Sequence, residues 1–405
     1  MVAVTGMAAT TPAGDGIDHL WAALMAAEAT LTSRFGAPDA SGQPTDFACR
    51  IPAAAVGRQG PTGLGKLARR SDPVTVLGLG AAVDALAHAG LGPPGRAYTS
   101  AEPRRCAVVA GTAFGAGTTL ETSSPGTFYT PMVMQNALAA TISLVTGCQG
   151  PSIAVSAACA TGAVAIGEGT RLIRDGIADL VVAGGAELLT ARLLAGYRAS
   201  GGTSAFRSDP LHASRPFDAD RDGIVAAEGA AFVVLERLDR ALRRNARIHG
   251  LIAGYASTCD AFHLTDPSPG GQGAAACIRA ALDDARIDPE DVVHVNAHAT
   301  STRAGDLAEA QAITSVFGPR RVPVTANKGV TGHMIGASGA AEAIATLLSL
   351  DGLTAPPTAN TSRIDEVLGI DVITVRPRAL PAGPGLSNSF GFGGHNACLI
   401  ISPRP

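Results

Sequence analysis

The amino-acid sequence predicts an α/β fold, because strand-like apolar runs alternate with helical segments along most of its 405 residues. The strand-like runs are continuously apolar instead of alternating with polar residues, which is typical of strands covered on both faces. Glycine occurs 49 times, and aromatic residues make up only 4% of the chain. We therefore expect a core of small aliphatic side chains in which helices and sheets approach closely.

The predicted elements follow one another regularly from the N-terminus. The strands expected from their apolar character are Met1–Gly6, Cys106–Gly111, Ser152–Ser156, Ala178–Gly184, Ala231–Glu236, Ile248–Tyr255, His294–Ala297 and Ala397–Ser402. The helices expected between them are Val74–Ala89, Ala163–Asp175, Asp239–Ala246, Gly273–Ala285, Gly305–Phe317 and Ser338–Leu350. Residues 30–70 and 115–135 are rich in Gly, Pro and Ser, and we expect loops or an inserted cap there.

A rough internal similarity divides the chain into two halves, residues 1–245 and 246–405. Each half opens with a strand, continues through a helix and a strand-to-helix junction that carries reactive residues, and closes with another strand. The length of the chain is compatible with such a large duplicated unit.

Charge and composition argue against several classes of protein. The formal net charge is -3, which gives no reason to expect a nucleic-acid ligand. No run reaches the roughly 18 uninterrupted apolar residues of a membrane span, and the N-terminus resembles a strand instead of a signal peptide. The seven cysteines are scattered without CxxC spacing, so we expect free thiols, no metal centre and a cytoplasmic protein.

Cys159 is the candidate nucleophile. It lies in the segment Val155–Gly162, where a predicted strand runs into a helix and small neighbours would let a substrate carbonyl approach the backbone. The first turn of a helix stabilises a thiolate through its unpaired N–H groups and its dipole. Taken alone, the pattern also fits a structural cysteine buried at a strand–helix corner, since most buried thiols are inert.

Two histidine motifs lie downstream, Asn296–Thr302 with His298 and Asn327–His333 with Lys328. A lysine close to both imidazoles would depress their protonation and keep them neutral, as hydrogen-bond donors should be. Taken separately, His298 also fits a surface loop, and Lys328 with His333 also fits a surface lysine and a capping histidine.

The last motif is the glycine-rich segment Ser387–Gly394. A glycine-flanked aromatic residue in a tight turn can direct a backbone N–H group into a pocket, and Phe392 is placed to do so. A phosphate-binding glycine loop would need a helix after it, whereas a strand follows here. We therefore expect an N–H donor at this turn.

Together these segments resemble the β-ketoacyl synthases, the decarboxylating condensing enzymes of the thiolase-like superfamily. The resemblance runs from about residue 2 to residue 402 and includes the motifs Gly184–Glu187, Arg215–Asp218, Asp220–Gly223, Glu228–Ala230 and Asp306–Glu309. It is closest to the discrete elongating synthases of type II fatty acid and polyketide systems.

The resemblance implies a thiolase-like fold with five layers, αβαβα, in two pseudo-duplicated halves. Cys159 would take an acyl group from a carrier thioester, and malonyl-carrier would then lose CO₂ and attack that group. His298 and His333 would donate hydrogen bonds to the enolate, and the N–H groups of Cys159 and Phe392 would bind the oxyanion. The acyl carrier protein would bring its substrates on 4′-phosphopantetheine, so no resident cofactor is implied. The implied assembly is a homodimer, or a heterodimer with a chain-length-factor-like subunit.

Further residues take roles only through this resemblance. Lys328 would orient the histidine site through an ion pair with Glu309, and Phe114 would gate the acyl pocket. The positions expected to hold the phosphopantetheine arm are Thr265, Thr300 and Thr302. The basic residues suggested for carrier docking are Lys66, Arg69, Arg70 and Arg207.

Some residues depart from the family pattern. Ala299 replaces a usual glycine, Arg303 replaces a usual proline, and His395 stands where threonine is common. The segment Gly117–Pro131 is shorter than in fatty-acid elongating synthases and lacks their basic pair. We therefore expect a specialised polyketide or unusual fatty-acyl synthase. The alternatives are a housekeeping fatty-acid synthase, a non-condensing chain-length-determining partner and a coenzyme A thiolase.

Overall fold

The computed structural model describes residues 1–30, 32–38, 44–52, 65–92 and 102–404. Its strands are β1 (Val2–Thr11), β2 (Gly14–Asp15), β3 (Thr32–Pro38), β4 (Pro44–Cys49), β5 (Cys106–Gly111), β6 (Ser152–Val155), β7 (Leu180–Glu187), β8 (Gly229–Arg237), β9 (Gly250–Cys259), β10 (His294–Asn296), β11 (Pro323–Thr325), β12 (Thr354–Ala355), β13 (Asp371–Val372), β14 (Arg378–Ala379), β15 (Gly385–Gly391) and β16 (His395–Ser402). Its helices are α1 (Ile17–Ala26), α2 (Gly65–Ala68), α3 (Pro73–His88), α4 (Gly117–Thr122), α5 (Tyr129–Val133), α6 (Ala137–Thr146), α7 (Thr161–Arg174), α8 (Ala191–Ala199), α9 (Leu238–Arg243), α10 (Gln272–Ala285), α11 (Arg303–Phe317), α12 (Lys328–Thr331) and α13 (Ser338–Asp351). Each strand and helix predicted above is present, with its ends shifted by a few residues. No helix in these ranges is long and apolar enough to cross a membrane.

The main sheet repeats one arrangement of strands. Its order is β13-β11-β10-β15-β16-β9-β1-β8-β7-β5-β6. Five strands of the first half, in chain order β1, β5, β6, β7 and β8, correspond to five of the second half, β9, β10, β11, β15 and β16. In both halves these five strands lie side by side in the order third, second, fourth, fifth and first. In each set the first three strands are parallel and the last two pair antiparallel. The expected duplication is therefore present, whereas the boundary between residues 245 and 246 remains a prediction.

Helices form three layers around the two halves of the sheet. α3 and α6 pack on the outer side of the first half, and α10 and α11 on the outer side of the second. α7 and α13 lie between the halves and pack on each other. Their backbones approach closely, because a Cβ atom on Gly162 would lie 2.6 Å from the amide nitrogen of Ala340. The result is the expected five-layered αβαβα fold.

Two stretches expected to be loops contain regular structure. Within residues 30–70 the described residues form the antiparallel pair β3–β4 and the helix α2, and within residues 115–135 they form α4 and α5. The expectation of loops is therefore wrong for these segments. The elements are too short to show a clear period, and glycine and proline in and around them obscure it. Residues 39–43 and 53–64 lie outside the described residues.

Candidate active site

Cys159 lies in a strained turn between β6 and α7. The preceding residue, Ala158, has a φ of 48°, in the left-handed region that L-residues rarely occupy. The Thr161 hydroxyl closes this turn by accepting a hydrogen bond from the Ala157 N–H group (2.9 Å) and donating one to the Ala158 carbonyl (2.7 Å). Cys159 is 4% exposed and lies just before the N-terminus of α7, as the sequence indicates.

Opposing influences act on the Cys159 thiol. Burial raises its pKa to about 11, while the Lys328 ammonium, the Phe392 N–H group and the Tyr197 hydroxyl act to lower it. Burial dominates, so the resting side chain is a thiol at neutral pH. The sequence indicated the influence of the helix N-terminus on the thiol, but not the loss of water around the sulfur, which opposes it.

The turn between β15 and β16 brings a second backbone N–H group to Cys159. Phe392 lies in this turn, and its N–H group acts to lower the pKa of the Cys159 thiol. A Cβ atom at Gly391 would lie 3.0 Å from the Cys159 nitrogen and 2.9 Å from the Ala157 carbonyl oxygen, so the approach requires glycine. The N–H groups of Cys159 and Phe392 are thus neighbours, as an oxyanion site requires.

A buried carboxylate fixes the turn that carries His298. Glu309 on α11 accepts hydrogen bonds from the N–H groups of His298 (2.9 Å) and Ala299 (2.7 Å) and from the Asn388 side chain (3.1 Å). Ala299 has a φ of 20°, at the border of the region that glycine adopts without strain. This explains how the usual glycine and the alanine found here can occupy the same turn.

Lys328 forms its ion pair with Glu342, and not with Glu309 as expected. Its ammonium group contacts the Glu342 carboxylate and the His298 carbonyl oxygen, and lies 3.2 Å from His298 Nδ1. The expectation is wrong because the Glu309 carboxylate is occupied by the backbone of the His298 turn. Glu342 instead reaches Lys328 from α13.

Neighbouring groups determine the tautomers of both histidines. An ammonium group cannot accept a hydrogen bond, so Lys328 donates to His298 Nδ1 and the ring proton lies on Nε2. Ser338 Oγ lies 3.1 Å from His333 Nδ1, and His333 Nε2 has no partner among the described residues. Burial, and next the Lys328 charge, hold the pKa of each histidine well below its usual range. Both rings are therefore neutral, and His333 carries an Nε2–H group in the tautomer in which the Ser338 hydroxyl donates to Nδ1.

The thiol and the two imidazoles converge. One sulfur or nitrogen atom from each of Cys159, His298 and His333 lies within 4.8 Å of the others, and the two rings are 5.3 Å apart at 84°. Zinc can be bound by such a set of donors. The Lys328 ammonium beside His298 disfavours a dication here, since like charges repel strongly where water is excluded. The arrangement suits a nucleophile that faces two hydrogen-bond donors.

A cavity of about 380 Å³ leads from these residues towards the surface. Its wall includes the residues expected to hold an extended substrate arm, which are Thr265, Thr300 and Thr302. Thr302 Oγ1 lies 3.0 Å from Thr300 Oγ1 and accepts a hydrogen bond from the Gly305 N–H group (3.1 Å). Glu309 and Arg303 also line the cavity.

Aromatic rings enclose Cys159 within an apolar cluster. Phe114 packs edge-on against Tyr197 with ring centroids 5.7 Å apart, and Tyr197 lies 6.0 Å from Phe392. All three rings pack in the cluster that contains Cys159. Tyr197 was not among the residues predicted from the sequence, because the helix around it carries no motif.

A second buried carboxylate fixes the backbone of Phe114. Glu187 accepts hydrogen bonds from the N–H groups of Ala113 (2.8 Å), Phe114 (3.3 Å) and Gly336 (3.2 Å). Burial raises the pKa of Glu187 to about 8 against the effect of these donors. The motif that contains Glu187 is visible in the sequence, whereas its contact with Phe114 is not.

The basic residues suggested for carrier docking do not surround the cavity. Lys66, Arg69 and Arg70 are exposed in or beside α2, and the Arg70 guanidinium lies 4.1 Å from the centre of the Phe128 ring. Arg207 is exposed and lines a second cavity. None of the four lines the large cavity, and their role in docking remains a prediction.

Comparisons with known sequences agree with this geometry. Residues 1–241 match the family model of the β-ketoacyl synthase N-terminal domain, and residues 249–362 match that of the C-terminal domain. A relative from Synechocystis, named 3-oxoacyl-[acyl-carrier-protein] synthase 2, is 37% identical over 416 residues, which cover 99% of this chain and 97% of the relative.

Solved structures share the whole fold. A β-ketoacyl synthase from Burkholderia phymatum aligns with a TM-score of 0.90 and 34% identity, covering 100% of this chain and 99% of that one. A ketosynthase of a type II polyketide system, in complex with its acyl-carrier protein and bound to the hexaketide, aligns with a TM-score of 0.88 and 27% identity over 100% and 99% of the chains. The chain therefore belongs to the β-ketoacyl synthase family, the condensing acyltransferases with a thiolase-like fold.

Proposed function

We propose that this chain condenses an acyl group held on Cys159 with malonyl-acyl-carrier-protein, with loss of CO₂, to give a β-ketoacyl-carrier protein. The convergence of the Cys159 thiol with the His298 and His333 rings at one cavity carries the proposal. A nucleophile, two neutral donors and two backbone N–H groups are the parts that such a condensation requires. No resident cofactor is needed, because the 4′-phosphopantetheine arm of the carrier brings both substrates.

In the first half-reaction, the Cys159 sulfur attacks the carbonyl carbon of an acyl-carrier thioester. The carbonyl oxygen becomes an oxyanion that accepts hydrogen bonds from the N–H groups of Cys159 and Phe392. One donor of this kind lowers the barrier by roughly 3–4 kcal/mol. The bond to the carrier sulfur then breaks, and the departing sulfur takes the proton that the Cys159 thiol gives up.

In the second half-reaction, malonyl-carrier enters the cavity with its thioester oxygen towards Nε2 of His298 and His333. Loss of CO₂ leaves an enolate whose oxygen accepts hydrogen bonds from both Nε2–H groups. The enolate carbon attacks the acyl carbon on Cys159, so that a C–C bond forms and the C–S bond to Cys159 breaks. Neutral imidazoles suit this step because they stabilise the enolate without protonating it.

We place the reaction in a specialised type II polyketide or unusual fatty-acid pathway. The support is the likeness to a hexaketide-bound ketosynthase and the departures at Ala299, Arg303 and His395. The name of the Synechocystis relative favours the alternative, housekeeping fatty-acid elongation. A non-condensing role as a chain-length-determining partner is disfavoured, because such a role needs no nucleophile at Cys159.

We propose two protein partners, an acyl carrier protein and a second chain of the same fold. β6 is the outermost strand at one end of the main sheet, and Ser152–Ala154 in it are exposed. Ile153 in β6 is 37% exposed, and Leu144 on the helix α6, which packs beside β6, is 75% exposed. An open sheet edge with apolar side chains is a template for pairing with another strand. The dimer would form across β6, with an identical chain or with a chain-length-factor-like subunit.

Acylation of Cys159 tests the first half-reaction. An acyl-carrier substrate should add one acyl group to the wild-type chain, detected by intact-protein mass spectrometry, and Cys159→Ala should abolish the addition. Cys259→Ala removes an exposed thiol that does not line the cavity, and this control should label like the wild type. Undiminished labelling of Cys159→Ala would exclude the proposal.

Release of CO₂ from malonyl-carrier tests the second half-reaction and separates it from thiolase chemistry. The acylated enzyme should release CO₂ and β-ketoacyl product in equal amounts. Removing either donor, in His298→Ala or His333→Ala, should slow release by about 10²-fold or more. Condensation without CO₂ would indicate a thiolase, which joins acyl groups without decarboxylation.

A further inference from the structure

Arg303 is the only lysine or arginine among the described residues that line the large cavity. It is the first residue of α11 and is exposed to solvent. Its carbonyl oxygen accepts a hydrogen bond from the Arg221 guanidinium (3.2 Å), which holds its backbone in place. Its own guanidinium forms no hydrogen bond or ion pair with another described residue, so its charge is available to a ligand.

The acidic residues that line the same cavity have other partners. Asp222 and Asp260 each accept two hydrogen bonds, at distances of 2.6–2.9 Å. Asp266 lies 3.6 Å from Nδ1 of His263, and Glu309 is occupied by the backbone of the catalytic turn. None of these carboxylates forms an ion pair with the arginine, which therefore has no counter-charge among the described residues of the cavity.

The wall from residue 298 to residue 303 leads from the buried end of the cavity to its opening. His298 is buried beside Cys159. Thr300 and Thr302 are half-buried, and Arg303 after them is exposed. A phosphopantetheine thioester has its parts in the same order, with the thioester at one end, two amides in the middle and the phosphate at the other end. With the thioester at Cys159 and the amides at the threonines, the phosphate would lie at the opening, beside the arginine.

We propose that Arg303 binds the phosphate of the phosphopantetheine arm and gives the enzyme a preference for thioesters that carry it. This inference rests on the proposed function, because it presupposes that a carrier thioester reaches Cys159 through the large cavity. A guanidinium presents paired N–H donors in one plane, which match two oxygens of a phosphate. The proline that is usual at this position has no charge and no such donors, so the preference would be a property of chains with the arginine.

Two soluble thioesters that differ only in the phosphate test the preference. Butyryl-pantetheine and butyryl-4′-phosphopantetheine are offered separately, and acylation of Cys159 is followed by intact-protein mass spectrometry. The wild type should be acylated about 5-fold more efficiently by the phosphorylated thioester, which is the effect of one solvent-exposed ion pair. The difference should lie in the half-saturating concentration and not in the maximal rate. It should also shrink between about 50 and 500 mM salt, because salt screens exposed charges.

Arg303→Met removes the charge and keeps an unbranched side chain, so the two thioesters should acylate this variant with equal efficiency. Arg303→Lys keeps the charge without the planar donors and should retain part of the preference. Arg321→Met is the matched control, because Arg321 is an exposed arginine beyond the other end of α11 and does not line the large cavity. It should keep the wild-type preference.

Equal efficiency of the two thioesters with the wild type at low salt would overturn the inference, even if Arg303→Met did not fold. A preference that persists in Arg303→Met would overturn it too, since the phosphate would then be bound elsewhere. If Arg303→Met slowed acylation only by a whole carrier protein, the arginine would contact the carrier surface and not the arm, which would also contradict the inference. Failure of every thioester to acylate Cys159 would instead contradict the proposed function.

Discussion

Lys328 is a cation enclosed by the groups whose ionisation it affects. Its side chain is 1% exposed, and it contacts Glu342 and both Nδ1 and the carbonyl oxygen of His298. Burial raises the pKa of Glu342 to about 7, and the nearby ammonium opposes that shift. The same charge adds to burial in holding the pKa of His298 and His333 low. One buried lysine thus favours an ionised carboxylate and two neutral imidazoles.

Lys328→Met should make the reaction more sensitive to acid. The pKa of each histidine would rise, because the positive charge of Lys328, which helps to lower it, is lost. Burial would still lower both pKa values, but no longer with the help of that charge. As the pH falls, protonation of His298 and His333 would then begin at a higher pH than in the wild type. An imidazolium can protonate the enolate and divert it to acetyl-carrier. The ratio of acetyl-carrier to β-ketoacyl product, measured between pH 5 and 8, should therefore rise earlier on acidification.

A second substitution separates this electrostatic effect from stability. Lys328→Met alone leaves Glu342 buried without a cation and should lower the free energy of unfolding by about 3 kcal/mol. Adding Glu342→Gln should recover much of that loss, as measured by urea unfolding, without restoring the product ratio. A wild-type product ratio in both variants would contradict the role of the lysine.

Among the elements, the β15–β16 turn depends most directly on a single residue. A Cβ atom at position 391 would lie 3.0 Å from the Cys159 nitrogen and 3.2 Å from the Ala158 Cβ atom. Gly391→Ala should therefore displace the Phe392 N–H group from the oxyanion. We expect acylation to slow by about 10²–10³-fold, as for the loss of one oxyanion donor. Quenched-flow acylation followed by mass spectrometry measures the rate.

Gly80→Ala provides the control for this substitution. Gly80 lies in α3, and a Cβ atom there would meet no atom within 4 Å. Alanine should leave acylation unchanged and increase helix stability by about 0.5–1 kcal/mol. If Gly391→Ala acylated at the wild-type rate, the Phe392 N–H group could not be the donor that we propose.

The elements themselves could be predicted from the sequence, whereas contacts between them could not. A continuous apolar run such as β5 and a helix such as α10 are encoded by local periodicity, and so is the position of Cys159 between a strand and a helix. Lys328 could pair with Glu309 on α11 or with Glu342 on α13. The choice between them depends on how these helices pack in the second half, which local sequence patterns do not encode. The contact of Tyr197 with Cys159 likewise joins elements that are distant along the chain.

At the scale of the whole molecule, the duplicated sheet explains how both halves contribute to one site. The third strand of each half leads into reactive residues at its carboxyl end, β6 into Cys159 and β11 into Lys328 and His333. The helices that follow, α7 and α13, pack together at the centre, where a Cβ atom on Gly339 would lie 2.7 Å from the Ala163 nitrogen. The internal repeat thus brings equivalent strand ends to face each other.

The same sheet ends at β6, and this edge carries a prediction for the assembly. We expect the purified wild type to have twice the mass of one chain in size-exclusion chromatography with light scattering. Leu144→Glu combined with Ile153→Glu places one charge on β6 and a second on the adjacent helix α6, and a charge on an edge strand disfavours pairing between strands. This variant should be a monomer at micromolar concentration.

Val375→Glu is the control for the two edge substitutions, because Val375 is a 92% exposed apolar residue outside β6 and its neighbouring helices. It should remain a dimer. A wild type that is monomeric alone but doubles in mass with a chain-length-factor-like subunit would show that the same edge serves a heterodimer. A dimer that persists in the double variant would contradict pairing through β6, since two carboxylates buried in such an interface would cost several kcal/mol without partners.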